Sequence, residues 1–237
     1  MSLLQIDRVS KRFGGIVANQ DVSFTVEAGQ IVGLIGPNGA GKTTLFNCIA
    51  GFAPPTSGTI HLDGVRISGL NPEQCARAGV GRTFQIARTF ASMTALENVM
   101  VGAFLLDRSV TGARHRAAGL LNFVNLGQHA DRPAASMTIS EQRRLAVARA
   151  LAVKPRLLLM DEVMAGLNPT EVNETVDVVL RIRAHGIACL IVEHVLEGIM
   201  PVADAIVVLD DGRKIADGTP AQVSNDARVI AAYLGDA

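Results

Sequence analysis

The sequence predicts an α/β fold with a mainly parallel core sheet, because buried strands and helices alternate along most of the chain. Four short apolar runs are typical of buried strands: 30–35, 157–160, 187–192 and 205–209. Helical segments separate the later runs, at 170–185 and 195–200. Strands that alternate with helices form parallel sheets with right-handed crossovers.

A small antiparallel sheet is predicted beside this core. Residues 3–10 alternate partly in polarity, and the stretch 17–27 contains the alternating run 22–26. Short turns join these strands, and a further short strand is predicted at 59–62. Near the other end of the chain, Asp210-Asp211-Gly212 predicts a hairpin turn.

The middle of the chain is predicted to be helical. A short helix is expected at 72–78, with Asn71 as its N-cap, followed by a strand at 80–85. Between about 86 and 155, helical spacing replaces strand alternation, with helices expected at 95–100, 113–124 and 140–153. We therefore predict one domain over 1–237, with an α/β core at 1–85 and 156–237 and a helical subdomain at 86–155.

Composition excludes several classes of protein. The 22 basic and 22 acidic side chains cancel, and no basic block gives a reason to expect nucleic-acid binding. The three cysteines are far apart, which argues against a disulfide framework or a zinc site and favours a reducing compartment. Neither a signal peptide nor an apolar run of about 20 residues is evident, so we expect any work at a membrane to go through a partner.

A glycine-rich segment lies between the predicted strand 30–35 and a short apolar helix at 44–50. It matches the phosphate-binding pattern G-x-x-x-x-G-K-[ST] as Gly36-Pro37-Asn38-Gly39-Ala40-Gly41-Lys42-Thr43-Thr44. Glycines let backbone N–H groups converge on phosphate oxygens, and a helix N-terminus adds partial positive charge. Lys42 would supply a full charge to the phosphates, and the Thr43 hydroxyl could bind Mg²⁺. The alternative is a glycine-rich turn that precedes a lysine by chance.

Two carboxylates, Asp161 and Glu162, follow the apolar run 157–160. Ligands of doubly wound sheets bind at strand ends. Asp161 fits the acidic residue that supports Mg²⁺ beside a phosphate-binding loop. Glu162 would point in another direction and could polarise an attacking water. Without the loop, a pair of solvated carboxylates would be the favoured interpretation.

The order of motifs resembles the ATP-binding subunit of ABC transporters over nearly the whole chain. The loop is followed by Gln85, the helical insert, Glu141-Gln142-Arg143-Arg144, the carboxylate pair and His194. Within that family the chain looks most like the ATPases of branched-chain amino-acid importers. The stretches that carry this closer resemblance are Arg12-Phe13-Gly14-Gly15, Gly81-Arg82-Thr83-Phe84-Gln85, Ala165-Gly166-Leu167-Asn168-Pro169 and the tail from Asp217 to Gly235. Urea and other amide-importer ATPases share such stretches.

The resemblance implies ATP and Mg²⁺ as cofactors and a role for further residues. Phe13 would stack on adenine. Gln85 would sense the γ-phosphate and Mg²⁺ and relay to the permease, and His194 would contact the γ-phosphate. Asn168 would lie in a loop that touches the opposing subunit. Outside the family, each of these side chains would more often have a structural role.

One segment departs from the family pattern. Where the family has L-S-G-G, this chain has Met137-Thr138-Ile139-Ser140. The resemblance implies that Thr138, Ser140 and Glu141 close over the ATP held by a second subunit, and a branched Ile139 could hinder that approach. Thr138-x-x-Glu141 also predicts a capping box for the following helix. We therefore expect an asymmetric pair of ATPase subunits, with one competent and one impaired site.

The resemblance also implies the partners: a second ATPase subunit, two membrane permease subunits and, indirectly, an external solute-binding protein. The chain would then be peripheral, at the cytoplasmic face of the inner membrane. One alternative is a regulatory or soluble ABC-type ATPase with weak hydrolysis. Another is a P-loop kinase or GTPase, which is disfavoured because the base-reading N-K-x-D pattern is absent.

Overall fold

A six-stranded sheet forms the centre of the structure, a computed structural model that describes residues 2–83 and 89–234. Its spatial order is β10 (Arg213–Gly218), β9 (Ala205–Asp210), β3 (Ile31–Ile35), β8 (Ala188–Val192), β7 (Leu157–Asp161) and β6 (Val80–Arg82). Neighbours pair in parallel except β9 and β10, which form an antiparallel hairpin. The predicted mainly parallel sheet and the hairpin turn are confirmed.

The register of this sheet brings three strand ends together. Val192 of β8 lies beside Leu34 of β3 on one side and beside Asp161 of β7 on the other. The carboxyl ends of these strands therefore form one edge, from which the glycine-rich segment, the carboxylate pair and His194 continue. This edge is where a ligand site is expected in a sheet of this type.

A second, antiparallel sheet has four strands, three of which correspond to the predicted strands, whereas the two-residue β5 was not predicted. Their order is β2 (Ile16–Val26), β1 (Leu4–Phe13), β4 (Ser57–Leu62) and β5 (Val65–Arg66). β1 continues to Phe13, beyond the predicted end at residue 10. Its pairing with β2 shows register shifts between Ile6 and Arg12. Each shift breaks the period of two, so alternation is lost where the strand continues.

Nine helices are present in the part of the chain that the structure describes. They are α1 (Lys42–Ile49), α2 (Pro72–Ala78), α3 (Ala95–Ala103), α4 (Val110–Phe123), α5 (Ile139–Leu151), α6 (Pro169–Ala184), α7 (Leu196–Ile199), α8 (Pro220–Ser224) and α9 (Ala227–Leu234). Asn71 caps α2 as predicted, by accepting a hydrogen bond from the N–H of Gln74. The three helices α3 to α5 lie between β6 and β7 in the chain.

The parallel sheet divides the hydrophobic core into two parts. On one face its residues pack with α3 to α6, and this part includes Ile31, Leu158, Met160, Ile191 and Ile206. On the other face they pack with α1 and the antiparallel sheet, and this part includes Val32, Leu34, Leu159, Leu190 and Leu209. Because both faces are covered, the strands are continuous apolar runs rather than alternating ones. Within residues 2–83 and 89–234, no helix combines the length and apolar character needed to cross a bilayer.

Candidate functional site

The glycine-rich loop is too tightly packed for side chains at two of its glycines. Gly36 follows β3 with φ 148°, and a Cβ atom there would overlap the carbonyl oxygen of Leu209. Gly41 has φ 94°, and a Cβ there would overlap the carbonyl oxygen of Ala18. Both positions therefore require glycine, and the loop backbone is held close to β9 and β2.

Helix α1 begins at Lys42, two residues before the predicted start, because Gly41 serves as its N-cap. Lys42 and Thr43 therefore lie in the first turn, where helix N–H groups have no intrahelical acceptor. The Lys42 side chain folds back, and its Nζ donates hydrogen bonds to the carbonyl oxygens of Gly36 at 2.7 Å and Pro37 at 2.8 Å. Thr43 is exposed. The first turn thus combines an ammonium, a hydroxyl and free backbone donors, which suits an anion.

Burial and charge act in opposite directions on Lys42. Burial lowers the pKa of its ammonium, while the neighbouring carboxylates Glu162 and Asp161 raise it. The proximity of both carboxylates agrees with their position at the end of β7. Positive and negative groups therefore meet at one point on the sheet edge.

Asn19, on β2, contacts the glycine-rich loop at Gly41. Its side chain is fully buried, and its Nδ2 donates a hydrogen bond to the Gly41 carbonyl oxygen at 3.2 Å. Within the described residues, its Oδ1 is buried without a hydrogen-bond partner. Sequence reasoning did not identify Asn19, because an asparagine in an alternating strand gives no signal of such a contact.

Asp161 is held by an arginine that sequence reasoning also missed. Arg82, at the end of β6, places Nη2 3.4 Å from Asp161 Oδ2 and donates from Nη1 to Asn47 Oδ1 at 2.7 Å. Burial raises the pKa of Asp161 and Arg82 opposes that rise. The backbone N–H of Asp161 also donates to Thr83 Oγ1 at 3.2 Å. Arg82 thus provides the counter-charge of a buried carboxylate and links it to α1.

Glu162 points away from Asp161, as predicted. Its backbone is left-handed, with φ 51°, and its N–H donates to the Val192 carbonyl oxygen at 2.9 Å. Its Oε1 lies 3.0 Å from His194 Nε2. A left-handed residue directly after a strand turns the chain, so the two adjacent carboxylates serve different neighbours.

A polar cleft of about 290 Å³ brings part of the predicted set together, but Gly36, Pro37 and Asp161 are not among the residues that line it. Glu162 and His194 line it, with Ala18 from β2 and the loop and helix residues Asn38, Gly39, Ala40, Gly41, Lys42, Thr43 and Thr44. Phe13 lies at the end of β1 and is 50% exposed, with Lys11 Nζ 4.8 Å from its ring centroid. Gln85 lies outside the described residues.

The segment 137–141 does not line this cleft; it forms the start of α5. The predicted capping box is confirmed: Thr138 Oγ1 accepts from the Glu141 N–H at 3.2 Å, and Glu141 Oε2 accepts from the Thr138 N–H at 2.8 Å. Glu141 also accepts a hydrogen bond from Arg132 Nη1 at 3.1 Å. Ser140 is buried, whereas Ile139 is 67% exposed. The surface of this segment therefore consists of Thr138 and Ile139.

Asn168 occupies a similar position at the start of α6. It is the N-cap, and its Oδ1 accepts a hydrogen bond from the Glu171 N–H at 3.0 Å. The preceding Gly166 is left-handed, with φ 70°. Helix capping therefore accounts for the polar side chain at this position.

Two oxygen donors at the carboxyl end of the parallel sheet suit Mg²⁺. Thr43 lines the cleft and offers a hydroxyl in the first turn of α1. Asp161 offers a carboxylate at the end of β7, but it is buried and is not among the residues that line the cleft. Mg²⁺ is commonly bound through one or two carboxylates together with substrate phosphates and waters. No group of three or more His, Cys, Asp or Glu within residues 2–83 and 89–234 could hold a metal alone. The donor set thus fits a metal that arrives with a phosphate ligand.

Comparisons with known proteins agree with this geometry. A family model described as ABC transporter matches residues 19–165, and one described as branched-chain amino acid ATP-binding cassette transporter matches residues 213–237. The chain is 43% identical to the high-affinity branched-chain amino acid transport ATP-binding protein BraF of Pseudomonas aeruginosa, covering 99% of this chain and 98% of that protein. It is 42% identical to LivG of Escherichia coli, with the same coverage. The chain is 35% identical to the lipopolysaccharide export system ATP-binding protein LptB of Haemophilus influenzae, covering 100% of this chain and 98% of that protein.

Solved structures show the same architecture. The ADP conformation of MJ1267, an ATP-binding cassette of an ABC transporter, superposes with a TM-score of 0.91 at 30% identity over 100% of both chains. A dimeric cassette, MJ0796 bound to ADP and Pi, superposes with a TM-score of 0.83 at 25% identity over 92% of this chain and 98% of that one. Sequence and structure together establish that the chain belongs to the ATP-binding cassettes of the ABC transporter family.

Proposed function

We propose that this chain is the ATP-hydrolysing subunit that powers an ABC importer for branched-chain or related amino acids. The observation that carries the ATPase assignment is the convergence of the loop, Glu162 and His194 on one cleft in a chain of this family. The choice of solute is supported by the names of the relatives BraF and LivG and by the match of residues 213–237. The relatives span the whole chain and are transporter subunits, which favours transport over a purely regulatory role.

The loop and α1 would bind the triphosphate. Lys42 uses two of its three ammonium protons on loop carbonyls, which leaves one for a phosphate oxygen. The N–H groups of the first turn would surround the phosphates, and Phe13 would stack on the adenine from the end of β1. Thr43 and Asp161 would hold Mg²⁺, with Gln85 as a further ligand. When bound, the metal neutralises charge that develops on the phosphate oxygens.

Glu162 would act as the general base. Its carboxylate faces the cleft and can accept a proton from a water beside the terminal phosphate. Its 3.0 Å contact with His194 Nε2 fixes the direction of its carboxylate. His194 would thus orient the base and also contact the γ-phosphate.

Substituting Glu162 tests this assignment. In E162Q, we expect ATP binding to persist while hydrolysis falls by about 10²-fold or more, the usual contribution of a general base. E197Q is the matched control, because Glu197 is an exposed carboxylate on α7 outside the cleft. Unchanged turnover in E162Q would remove Glu162 from the catalytic role.

A second ATPase subunit would complete each site. The surface residues Thr138 and Ile139 lie outside this chain's own cleft, which suits contact with nucleotide held by a partner. Ile139 would hinder that contact, so the chain would pair with a different subunit that has an intact segment.

The isolated chain should then hydrolyse ATP slowly and the assembled complex quickly; brisk hydrolysis by the isolated homodimer would contradict this pairing. I139G should raise homodimer turnover more than I139A, if close backbone approach is what the side chain prevents.

Membrane permease subunits would bind the face near α3. Val101, Phe104 and Leu106 are 43%, 39% and 47% exposed there, and a cluster of exposed apolar side chains marks an interaction surface. This placement would put the chain at the cytoplasmic face of the membrane, with an external binding protein delivering solute. F104E should abolish co-purification with the permeases. V65E, which changes an exposed apolar residue on β5, should leave co-purification intact; loss in both variants would contradict the assignment of this face.

A further inference from the structure

Glu193 is a buried carboxylate beside the cleft that the proposed chemistry leaves without a role. It follows β8 and directly precedes His194, and its exposure is 0%. Its Oε1 accepts a hydrogen bond from the backbone N–H of Met164 at 2.7 Å. Its Oε2 is buried and, among the residues that the structure describes, has no hydrogen-bond partner. Retaining a buried, half-satisfied carboxylate is costly, so a functional reason is expected.

The contact with Met164 is one of three that join the residues after β7 to the end of β8 and the two residues that follow it. The Glu162 N–H donates to the Val192 carbonyl oxygen at 2.9 Å, and Glu162 Oε1 lies 3.0 Å from His194 Nε2. Val192, Glu193 and His194 therefore each make one contact with residues 162–164. Regular strand pairing of β7 with β8 ends at Asp161 and Val192, where the chain turns at the left-handed Glu162.

The backbone donor of Met164 has no place in the strand ladder after this turn. The Glu193 carboxylate provides its acceptor and so continues the connection between the two segments. Arg143, on α5, donates to the Val163 carbonyl oxygen at 3.4 Å and brings a positive charge to the same region. The position of Glu162 thus depends on the segment that follows it as well as on β7.

We infer that Glu193 is a positioning residue of the ATPase site: its carboxylate holds residues 162–164 against β8, so that Glu162 meets His194 and faces the cleft. The inference rests on the proposed role of Glu162 as general base. Glu193 is not among the residues that line the cleft, so it would act through Glu162, which does line it. The same bond holds the start of the loop that leads to Asn168.

Two substitutions separate reach from charge. E193Q keeps the length of the side chain and an oxygen that accepts from Met164, but has no ionisable group. E193D keeps an ionisable carboxyl but shortens the side chain by about 1.5 Å, the length of one carbon–carbon bond, which breaks the contact. A positioning role predicts that E193Q retains kcat near the wild-type value and that E193D loses about 10-fold to 100-fold in kcat with KM for ATP unchanged.

The test uses the full chain in its assembled complex, with steady-state ATPase kinetics and hydrogen exchange at the Met164 amide. We expect the amide to be protected in wild type and E193Q and to exchange faster in E193D. V178A is the control for lost stability. Val178 lies on α6, is buried in the same core cluster as Met164, and does not line the cleft. Its kcat should stay at the wild-type value.

Three outcomes would overturn the inference. They are wild-type kcat in E193D, a larger loss of kcat in E193Q than in E193D, or an equal loss of kcat in V178A at a matched loss of thermal stability. E162Q is measured in the same preparations. If E162Q hydrolyses ATP normally, the proposed role of Glu162 fails; if E162Q is inactive while E193D behaves as wild type, only the role of Glu193 fails.

Discussion

Burial of Glu193 should make the stability of the protein depend on pH between about 4.5 and 7. The pKa of this carboxyl is raised from its ordinary 4.5 to about 7, mainly by burial and to a lesser extent by the charge of Glu162. The N–H groups of Met164 and His194 and the charge of Arg143 act in the opposite direction. In this interval the folded chain keeps a proton that the unfolded chain releases.

The sign and size of the effect follow from this difference. The stabilisation is fully present below the unfolded pKa and is lost as pH rises through the folded pKa. The interval from 4.5 to about 7, at about 1.36 kcal/mol per pH unit, corresponds to about 3 kcal/mol of unfolding free energy. Glutamine at this position cannot titrate, so the E193Q variant lacks this dependence while the other titrating groups stay the same.

Urea unfolding measured by circular dichroism at pH 5, 6, 7 and 8 would show the difference. We expect the free energy of unfolding of wild type to fall relative to E193Q by about 2.5 kcal/mol across this range, because part of the titration lies below pH 5. Comparing the two proteins at each pH removes the contributions of all shared groups. Parallel pH curves for the two proteins would refute the argument that burial keeps Glu193 protonated.

Three further changes test the site. G36A should lower both thermal stability and ATP affinity, because its Cβ would overlap the Leu209 carbonyl oxygen, with about 1–3 kcal/mol lost in urea unfolding; wild-type stability would contradict the close approach. R82M should cost about 3 kcal/mol by leaving Asp161 buried without its counter-charge, and adding D161N should recover part of this in a double-mutant cycle; additive losses would show that the pair is not coupled. F13A should weaken ATP binding by about 3-fold to 10-fold but leave inorganic triphosphate binding unchanged in calorimetry; equal losses for both ligands would argue against stacking on the base.

Local sequence signals predicted the parts of the site that are local in the chain. The strand, the glycine-rich loop and α1 are consecutive, and Asp161 and Glu162 directly follow an apolar run, so pattern and spacing were sufficient. The capping box from Thr138 to Glu141 spans only one helical turn and was predicted for the same reason. These features depend on neighbours that the sequence places side by side.

The missed residues depend on contacts between distant parts of the chain. Arg82 meets Asp161 across 79 positions, and Glu193 meets Met164 across 29. Asn19 reaches Gly41 from a different sheet across 22 positions. A polar residue at a strand end looks the same in sequence whether it faces solvent or a buried partner. The packing of β6, β7 and β8 side by side brings Arg82 and Glu193 to their partners, and the packing of β2 against the glycine-rich loop brings Asn19 to Gly41.

The shortness of β6 has a mechanical consequence for the buried ion pair. This strand has three residues and, among the residues that the structure describes, lies at the edge of the sheet and pairs with β7. Arg82 ends the strand and connects Asp161 with Asn47 on α1. An outward displacement of this edge would lengthen both connections at once and raise the electrostatic cost of the Asp161 charge. The position of the edge strand β6 and the electrostatic cost of the buried Asp161 charge are therefore linked through the guanidinium group of Arg82.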